Sequence, residues 1–430
     1  MKHHTKRKRF TIVSLFLAAT LFSAGCSSAK EHVFSEQPLT CTTALTLMPT
    51  LSADDTPTPL PTPTLSPTPA PTPTPAPTPT PTPKMLSLLA VGDDLIHGST
   101  LTGALQPDGS YDFNGFYDPL REEISAADLA IINQETILGG SEFEYSGYPR
   151  FNTPDSMGDA IVNAGFDVVL HATNHTLDKG AKGVENCMNY WKTNHPEITV
   201  LGIFDSREAR EAITVVEKNG IRIAMLNYTY SLNGIPMPAG KDYLVTLLVK
   251  SNSEFIRSQI RAAKELSDFV IVFPHWGTEY AYTPSSSQQY WTGLFAEEGV
   301  DLVIGAHPHV LEPVEWVERP DGEQMLVFYS LGNFISGQIE APRILGGMAE
   351  VVLTEDENGA IRITDCAVVP VLTHYSTKVN DGTYATHRLS EYTEEQAALH
   401  GIHRRAEESV FTLEDTWELA RSILGDFLRE

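Results

Sequence analysis

The most informative stretch of the chain reads Leu86-Ser87-Leu88-Leu89-Ala90-Val91-Gly92-Asp93-Asp94-Leu95-Ile96-His97. Its first half is almost entirely aliphatic, which predicts a strand that is buried on both faces. A glycine and two carboxylates follow at once, so reactive side chains begin where the predicted strand stops. In an open α/β sheet, ligands bind in the crevice beyond the carboxyl ends of the strands. The stretch therefore predicts an α/β protein with a site at that edge of the sheet.

Four other predicted strands end in polar clusters of the same kind. These clusters are Asn133-Gln134-Glu135-Thr136, Thr173-Asn174-His175-Thr176-Leu177-Asp178, Pro274-His275-Trp276-Gly277-Thr278-Glu279 and Gly305-Ala306-His307-Pro308-His309. Each cluster alone has an ordinary structural explanation, because Asp and Asn are common in turns and at helix N-caps. Their recurrence at successive strand ends favours one shared site over unrelated turns, caps and solvated loops.

The rest of the chain alternates between short apolar runs and amphipathic segments. The predicted strands are Leu86–Val91, Leu129–Ile132, Asp167–Leu170, Thr199–Ile203, Ile221–Asn227, Phe269–Phe273, Leu302–Ile304, Met325–Tyr329 and a hairpin of Ala349–Thr354 with Ile361–Val371. The predicted helices are Asp155–Ala164, Gly180–Trp191, Ser253–Leu266, Ser285–Glu298 and Leu413–Leu428. This alternation is typical of α/β architecture.

The N-terminus carries the features of an export signal. A basic segment precedes the apolar run Phe10–Phe22, which is shorter than the ~20 residues of a spanning helix. Small residues before Cys26 resemble a lipoprotein signal, so we expect a signal peptide at 1–25 and lipidation of Cys26. Ser23 stands where that pattern usually has an aliphatic residue, and cleavage after Ala29 is the alternative. Either route predicts an extracytoplasmic protein, and lipidation would anchor it to the outer face of the cell membrane.

Composition defines the expected domains. Residues Thr56–Pro83 are almost purely Thr-Pro, Ala-Pro and Ser-Pro, which favours extended polyproline II and cannot form a core. We therefore expect a disordered Thr/Pro-rich tether at 26–84, a folded domain at 85–375 and a C-terminal appendage at 376–430.

Charge and cysteine content limit the possible partners. The formal net charge is −25, which argues against nucleic acid as a partner, because a phosphate-binding surface is basic. An oxidising compartment would permit a disulfide between Cys187 and Cys366, although the sequence does not establish one.

The polar clusters combine Asp, Glu, Asn and His without a thiolate. Such ligands suit divalent ions such as Zn, Mn or Fe, and their number is sufficient for two ions. Two neighbouring ions can hold the attacking and leaving oxygens of a hydrolytic displacement. His175 and Asp178 have the spacing of a histidine oriented by a carboxylate, as in a general acid. Alternatively, Asp178 only caps or solvates the helix that starts near Lys179.

At these residues the chain resembles the bacterial capsule-synthesis (poly-γ-glutamate cap) family, a branch of the calcineurin-like metallophosphatase superfamily. The resemblance covers about Met85 to Ser336. Its stretches are Ala90-Val91-Gly92-Asp93, Asn133-Gln134-Glu135-Thr136, Tyr148-Pro149-Arg150-Phe151-Asn152, Ala164-Gly165-Phe166-Asp167, Asn174-His175-Thr176-Leu177-Asp178-Lys179-Gly180, His275-Trp276-Gly277-Thr278-Glu279, Gly305-Ala306-His307-Pro308-His309 and Ser330-Leu331-Gly332-Asn333-Phe334. It implies a two-sheet metallophosphatase-like sandwich flanked by helices, with four α/β/β/α layers.

The resemblance also implies roles for individual residues. The implied metal ligands, which would hold two divalent transition-metal ions, are Asp93, Glu135, Asn174, His275, His307 and His309. Among them Glu135 would bridge the two ions. His175 would be the catalytic acid with Asp178 as its partner, and Arg150 and Asn152 would face the substrate.

Two features depart from the superfamily pattern. The usual Asp-x-His is replaced by Asp93-Asp94 with His97 further on, so His97 is only a less secure additional ligand. Glu135 stands where a bridging Asp is commoner. Asn333 is expected to brace a loop rather than to bind metal.

Two functional hypotheses follow. The first is a metal-dependent hydrolase or transferase that acts on a poly-γ-glutamate-type capsule, a related anionic envelope polymer or its precursor, or a phosphoester. The second is a non-catalytic accessory protein that binds or anchors the capsule polymer. Both place the protein at the membrane through its lipid anchor, in the neighbourhood of capsule synthase subunits.

Overall fold

The computed structural model describes residues 83–376, 384–405 and 411–430. The expected signal peptide, the expected lipidation site Cys26 and all but the last two residues of the expected tether lie outside these ranges. Among the helices in the described ranges, none combines the length and the apolar character needed to cross a bilayer.

The described residues form strands and helices with the following bounds. The strands are β1 (Met85–Leu95), β2 (Leu129–Gln134), β3 (Val168–Leu170), β4 (Thr199–Leu201), β5 (Thr214–Lys218), β6 (Ile221–Thr229), β7 (Phe269–His275), β8 (Leu302–Ile304), β9 (Val314–Glu318), β10 (Gln324–Phe328), β11 (Asn333–Ser336), β12 (Leu345–Glu355), β13 (Ile361–Tyr375) and β14 (Tyr384–Arg388). The α-helices are α1 (Gly98–Ala104), α2 (Arg121–Ala126), α3 (Ser156–Ala164), α4 (Gly180–Asn194), α5 (Arg207–Glu211), α6 (Ser253–Leu266), α7 (Ser286–Glu298), α8 (Ala341–Ile344), α9 (Glu394–Leu399), α10 (Ile402–Arg405) and α11 (Leu413–Leu424). Single 3-10 turns occur at Asn114–Phe116, Asp118–Leu120, Lys250–Asn252, Leu389–Glu391 and Gly425–Phe427.

The first sheet has the strand order β14-β13-β12-β1-β2-β3-β4, and β11 also pairs with β1. Strands β1 to β4 and β11 run parallel, whereas β12, β13 and β14 form an antiparallel extension. The expected boundary at residue 375 falls between two paired strands, because β14 hydrogen-bonds along β13. The segment 376–430, expected to be an appendage, thus supplies one of the two edge strands of this sheet, β14.

The second sheet has the order β5-β6-β7-β8-β10-β9. Its four central strands are parallel, and β5 and β9 are antiparallel edges. Burial along β6 explains how this sheet packs. Ile221, Ile223 and Met225 belong to the large core that also contains the first sheet, whereas Ala224 and Leu226 contact the core under α6 and α7.

The helices complete the layers. Apolar residues of α3 and α4 pack into the same large core as the first sheet, and α6 and α7 cover the outer face of the second sheet. The predicted α/β class with two sheets and flanking helices is confirmed.

Several predicted strands prove longer than expected at the site edge. β1 continues through Asp93 and Asp94 because Asp93 pairs with Asn333 of β11, and β7 continues to His275 because that residue pairs with Thr229 of β6. These polar residues therefore lie within strands and not in the loops after them. Cys187 and Cys366 are both free thiols.

Candidate metal centre

Five buried side chains form two groups of ligand atoms at the ends of the parallel strands. One group consists of Glu135, His275 and His307, and the other consists of Asp93, Glu135 and His309. In each group the ligand atoms lie within 4.8 Å of one another, so each group could hold a metal ion. Glu135 belongs to both groups, which is the position expected of a bridging carboxylate.

Two asparagines complete the ligand environment. The Oδ1 atom of Asn174 lies 3.0 Å from Nε2 of His275, which adds an amide oxygen to the first group. Asn133 donates from Nδ2 to Oδ1 of Asp93 at 2.8 Å and lies 3.4 Å from Nδ1 of His275. The six side chains expected to bind metal are therefore brought together, and Asn133 orients two of them.

The loop between β8 and β9 places two histidines through unusual backbone geometry. His307 and His309 have φ angles of +101° and +58°, a region that non-glycine residues rarely adopt. Such a conformation costs of order 1–3 kcal/mol per residue and persists only when the surroundings enforce it. Here the main-chain N–H of His307 donates to both carboxylate oxygens of Asp93 at 3.2 Å. The loop is thus fixed to a ligand from the other sheet.

The donor set fits a bound cation. Both carboxylate oxygens of Glu135 and Nδ1 of His307 are buried and have no hydrogen-bond partner among the described residues. Buried carboxylates are normally paired or coordinate metals, since an unpaired one is costly. Carboxylate, imidazole and amide donors in one buried cluster are the chemistry that divalent transition metals prefer.

The electrostatics of the cluster are strongly coupled. Burial alone would raise the pKa of Glu135, but the neighbouring His309 and His275 hold it below its ordinary value. Burial alone would lower the pKa of His309, but the carboxylates of Glu135 and Asp93 raise it to about 9. The pKa of His307 is well below its ordinary value because it is buried beside two other histidines.

His175 and Asp178 form a hydrogen-bonded pair beside this cluster. Nδ1 of His175 lies 2.8 Å from Oδ2 of Asp178, which also accepts the main-chain N–H of Phe151 at 2.7 Å. Nε2 of His175 lies 4.0 Å from Oε1 of Glu135. Asp178 thus orients the histidine. Helix α4 follows an N-cap residue, Lys179, that makes no side-chain cap hydrogen bond, so the structure does not support the alternative in which Asp178 caps this helix.

The two residues expected to face the substrate are placed differently. Asn152 is fully buried, and its side-chain amide hydrogen-bonds to the preceding loop. Its Oδ1 accepts the main-chain N–H of Gly139, and its Nδ2 donates to the carbonyl oxygens of Gly140 and Phe143. It is therefore a loop brace, because its polar atoms are already committed. Arg150 is exposed, and its hydrogen bonds within the described residues are made by its main-chain oxygen, which accepts from Ser146 and Lys179.

His97 and Asn333 lie next to the centre without belonging to either ligand group. His97 packs edge-to-face on Phe151, with ring centroids 5.5 Å apart. Asn333 donates to the carbonyl oxygen of Arg343 at 2.8 Å, and its Oδ1 lies 3.1 Å from Nδ1 of His309. Asn333 therefore joins a loop to the candidate metal centre.

Two positioning residues were not anticipated from the sequence. Tyr117 donates to Oδ2 of Asp94 at 2.6 Å, and burial raises the pKa of this carboxyl to about 8. Asn227 accepts the N–H of Ala172 and donates to the carbonyl of Phe273, both at 2.8 Å. It thereby joins the loop that carries Asn174 to the strand that carries His275. For Asn227, the sequence did offer a signal, because a polar residue stands at the end of the predicted strand Ile221–Asn227.

These features define a two-sheet α/β protein with a buried, histidine- and carboxylate-lined candidate metal centre. The chain belongs to the bacterial capsule synthesis protein PGA_cap family, whose model matches residues 87–338. The resemblance read from the sequence motifs is thereby confirmed.

Two curated relatives and one solved structure illustrate the similarity. The PGA biosynthesis protein CapA of Bacillus subtilis (strain 168) is 31% identical over 173 residues, which is 40% of this chain and 43% of the relative. The capsule biosynthesis protein CapA of Bacillus anthracis is 32% identical over 183 residues, or 42% of each chain. The aligned region thus spans less than half the length of these relatives. The NAD nucleotidase NadN of Haemophilus influenzae shares 13% identity with a TM-score of 0.42, covering 79% of this chain and 59% of that one.

Proposed function

We propose that this protein is a metal-dependent hydrolase or transferase that acts on an anionic polymer of the cell envelope or on its precursor. The observation that carries the proposal is the sharing of Glu135 by two buried ligand groups, with both of its oxygens unpaired by hydrogen bonds among the described residues. Two neighbouring divalent ions at these groups would suit the displacement chemistry of phosphoryl and acyl groups.

Each ion would have its own set of ligands. Asn174, His275 and His307 with Glu135 would hold one ion, and Asp93 and His309 with Glu135 would hold the other. Bound divalent ions would supply Lewis-acid polarisation of a substrate oxygen and a nucleophile at neutral pH.

His175 is the side chain placed to move a proton. Its Nδ1 is held by Asp178, which leaves Nε2 as the reactive nitrogen on the side of Glu135. A positioned imidazole of this kind contributes about 10²–10⁴-fold through general acid–base catalysis. We assign His175 as the group that protonates the leaving oxygen or nitrogen, with Asp178 as its orienting partner.

Family membership supports a capsule polymer as the natural context. The names of the Bacillus relatives concern biosynthesis of PGA and capsule, and we propose a poly-γ-glutamate-type polymer or a related envelope phosphoester as the substrate class. We further propose that the protein acts outside the cytoplasm, anchored through Cys26, in contact with capsule synthase subunits.

Metal content tests the centre first. The full-length protein, purified without chelator, is expected to contain about two equivalents of a transition metal by elemental mass spectrometry. His307→Ala and His309→Ala should each lose one equivalent, because each histidine belongs to one group only, and Glu135→Ala should lose both. A wild-type protein free of metal after supplementation with Mn, Zn and Fe would refute the proposal.

Turnover tests the chemistry. His175→Asn should keep its metal but lose at least about 100-fold in kcat on a chromogenic phosphodiester or a γ-glutamyl polymer. His195→Asn is a matched control, because His195 also pairs with a carboxylate, Asp159, at 2.8 Å, outside the centre. Metal-loaded protein without turnover on either substrate class, and with polymer binding intact, would favour the non-catalytic accessory role instead.

A further inference from the structure

His97 is held in one orientation at the end of β1. The main-chain N–H of Gly337 donates to Nδ1 of the imidazole at 3.2 Å. The carbonyl oxygen of Leu95 is also 3.1 Å from Nδ1, but it already accepts the main-chain N–H of His97 itself at 3.1 Å. The Gly337 N–H has no other acceptor among the described residues, whereas the Leu95 carbonyl is paired in either tautomer, so an unprotonated Nδ1 leaves fewer main-chain groups without a partner.

This hydrogen bond determines which nitrogen carries the proton. A neutral imidazole has one N–H and one acceptor nitrogen, and the bond at one nitrogen fixes the role of the other. With Nδ1 as the acceptor, Nε2 is the donor. Nε2 has no hydrogen-bond partner among the described residues, and it is not one of their buried unpaired atoms. The ring stays neutral near pH 7, because burial lowers the pKa of His97 to about 4.

The surroundings leave the ring little freedom. A Cβ atom on Gly337 would lie 2.7 Å from Cβ of His97, so only glycine allows this approach. A Cβ atom on Gly147 would lie 3.0 Å from the carbonyl carbon of His97, which shows how closely the loop before Phe151 packs here. Phe151 packs edge-to-face with both the His97 ring and the His175 ring, at centroid distances of 5.5 and 4.6 Å.

His97 is close to the metal centre without being a ligand. Phe151 packs against both the His97 and the His175 ring, and His309 and Glu135 lie within electrostatic range of His97, yet His97 belongs to neither ligand group. A neutral, oriented N–H donor beside a metal centre suits an oxygen that carries partial negative charge.

We propose that His97 donates a hydrogen bond from Nε2 to a phosphoryl, carbonyl or carboxylate oxygen of the substrate held at the metal centre. This inference rests on the proposed function, because the substrate oxygen has to be brought to the site by the metal ions. It replaces the reading of His97 as an additional metal ligand and makes it, beside His175, a second histidine that faces the substrate.

Inorganic phosphate is a simple probe of this donor. Titration calorimetry on the metal-loaded full-length protein should show about tenfold weaker phosphate binding in His97→Phe, which keeps a flat ring and removes the donor. His97→Gln restores an N–H donor and should recover part of the affinity. The metal content of both variants should equal that of the wild type. His195→Phe makes the same exchange away from the centre and should bind phosphate like the wild type.

The tautomer gives a readout that does not depend on metal or substrate. Imidazole 15N spectra of the metal-free protein should show His97 protonated at Nε2 and unprotonated at Nδ1. The reverse tautomer would overturn the inference, as would loss of a metal equivalent in His97→Phe. Unchanged phosphate affinity in a metal-loaded His97→Phe would overturn this inference alone, whereas a wild type that binds no metal would overturn the proposed function and the inference together.

Discussion

Glu312 allows a quantitative test of how burial beside the second sheet raises the pKa of a carboxyl group and so makes the stability of the protein depend on pH. This carboxylate is fully buried between β8 and β9. Gln288, within the N-terminal capping box of α7, donates to its Oε2 at 2.5 Å, while Oε1 has no partner among the described residues. Burial raises the pKa of Glu312 from 4.5 to about 7, against the smaller opposing effect of that hydrogen bond.

The magnitude and the direction follow from proton linkage. A pKa of about 7 against an ordinary value of 4.5 corresponds to about 3 kcal/mol, since one pKa unit is worth about 1.4 kcal/mol. The folded protein binds this proton more tightly than the unfolded chain. The stabilising contribution is therefore fully present below about pH 4.5 and is lost as the pH rises through about 7.

The assay compares Glu312→Gln with the wild type by urea unfolding in the presence of a chelator, between pH 4 and pH 8. Gln is neutral at every pH and has the size of the protonated Glu. Relative to the wild type, the variant should gain about 3 kcal/mol of unfolding free energy between pH 4.5 and pH 7.5. Using the difference between the two proteins removes the contribution of all other titrating groups.

Glu312→Leu is the control, because it also removes the ionisable group but replaces it with an apolar side chain. Its difference curve should have the same pH dependence as that of Glu312→Gln, displaced by a constant. Difference curves that stay level from pH 4 to pH 8 would refute the reasoning, because Glu312 would then ionise alike in the folded and unfolded chains.

Three further predictions concern single residues. Asn227→Leu should lower the unfolding free energy by about 2–3 kcal/mol, because two buried main-chain groups lose their partner, and should weaken retention of the ion held by Asn174 and His275 against a chelator. Unchanged retention would show that Asn227 does not position this site. Gly305→Ala should destabilise the protein by about 1–3 kcal/mol or more in thermal unfolding, because the added Cβ would lie 2.1 Å from a main-chain oxygen. Wild-type stability would contradict the packing. Cys187 should resist iodoacetamide in the native protein and react after unfolding, because burial raises its thiol pKa to about 12. Native alkylation detected by peptide mass spectrometry would argue against its burial.

The sequence was sufficient to predict where the centre lies. Parallel strands have their carboxyl ends at one edge, so polar clusters after successive buried runs had to converge there. Asp93, Glu135 and His307 could therefore be placed together without knowledge of any distance. The roles of the individual residues came from the family motifs alone, and they stay predictions.

Side-chain direction in loops was not predictable in the same way. Asn152 and Arg150 are neighbours in one polar loop, and no periodicity tells which side chain faces inward. In the structure, the side chain of Asn152 points toward its own loop and hydrogen-bonds to main-chain groups there, whereas Arg150 is exposed. Contacts between the two sheets, such as the one that Asn227 makes with Ala172, depend on packing that short stretches do not encode. β14 escaped prediction because its five residues, Tyr-Ala-Thr-His-Arg, do not form an apolar run.

The charge of the protein explains why metal ions matter for the proposed substrate. The chain has a formal net charge of −25, and its centre contributes the carboxylates of Asp93 and Glu135. An anionic polymer would be repelled by such a surface unless the site itself were positive. Arg150, the cation expected to face the substrate, is exposed, and its hydrogen bonds to other described residues are made by its main-chain oxygen. Two divalent ions would bring four positive charges against two carboxylates and would reverse the sign of the centre. The metal ions would then provide the local attraction for an anionic substrate as well as the chemistry, while His97 and His175, in their proposed roles, would supply the directional hydrogen bonds that the ions alone lack.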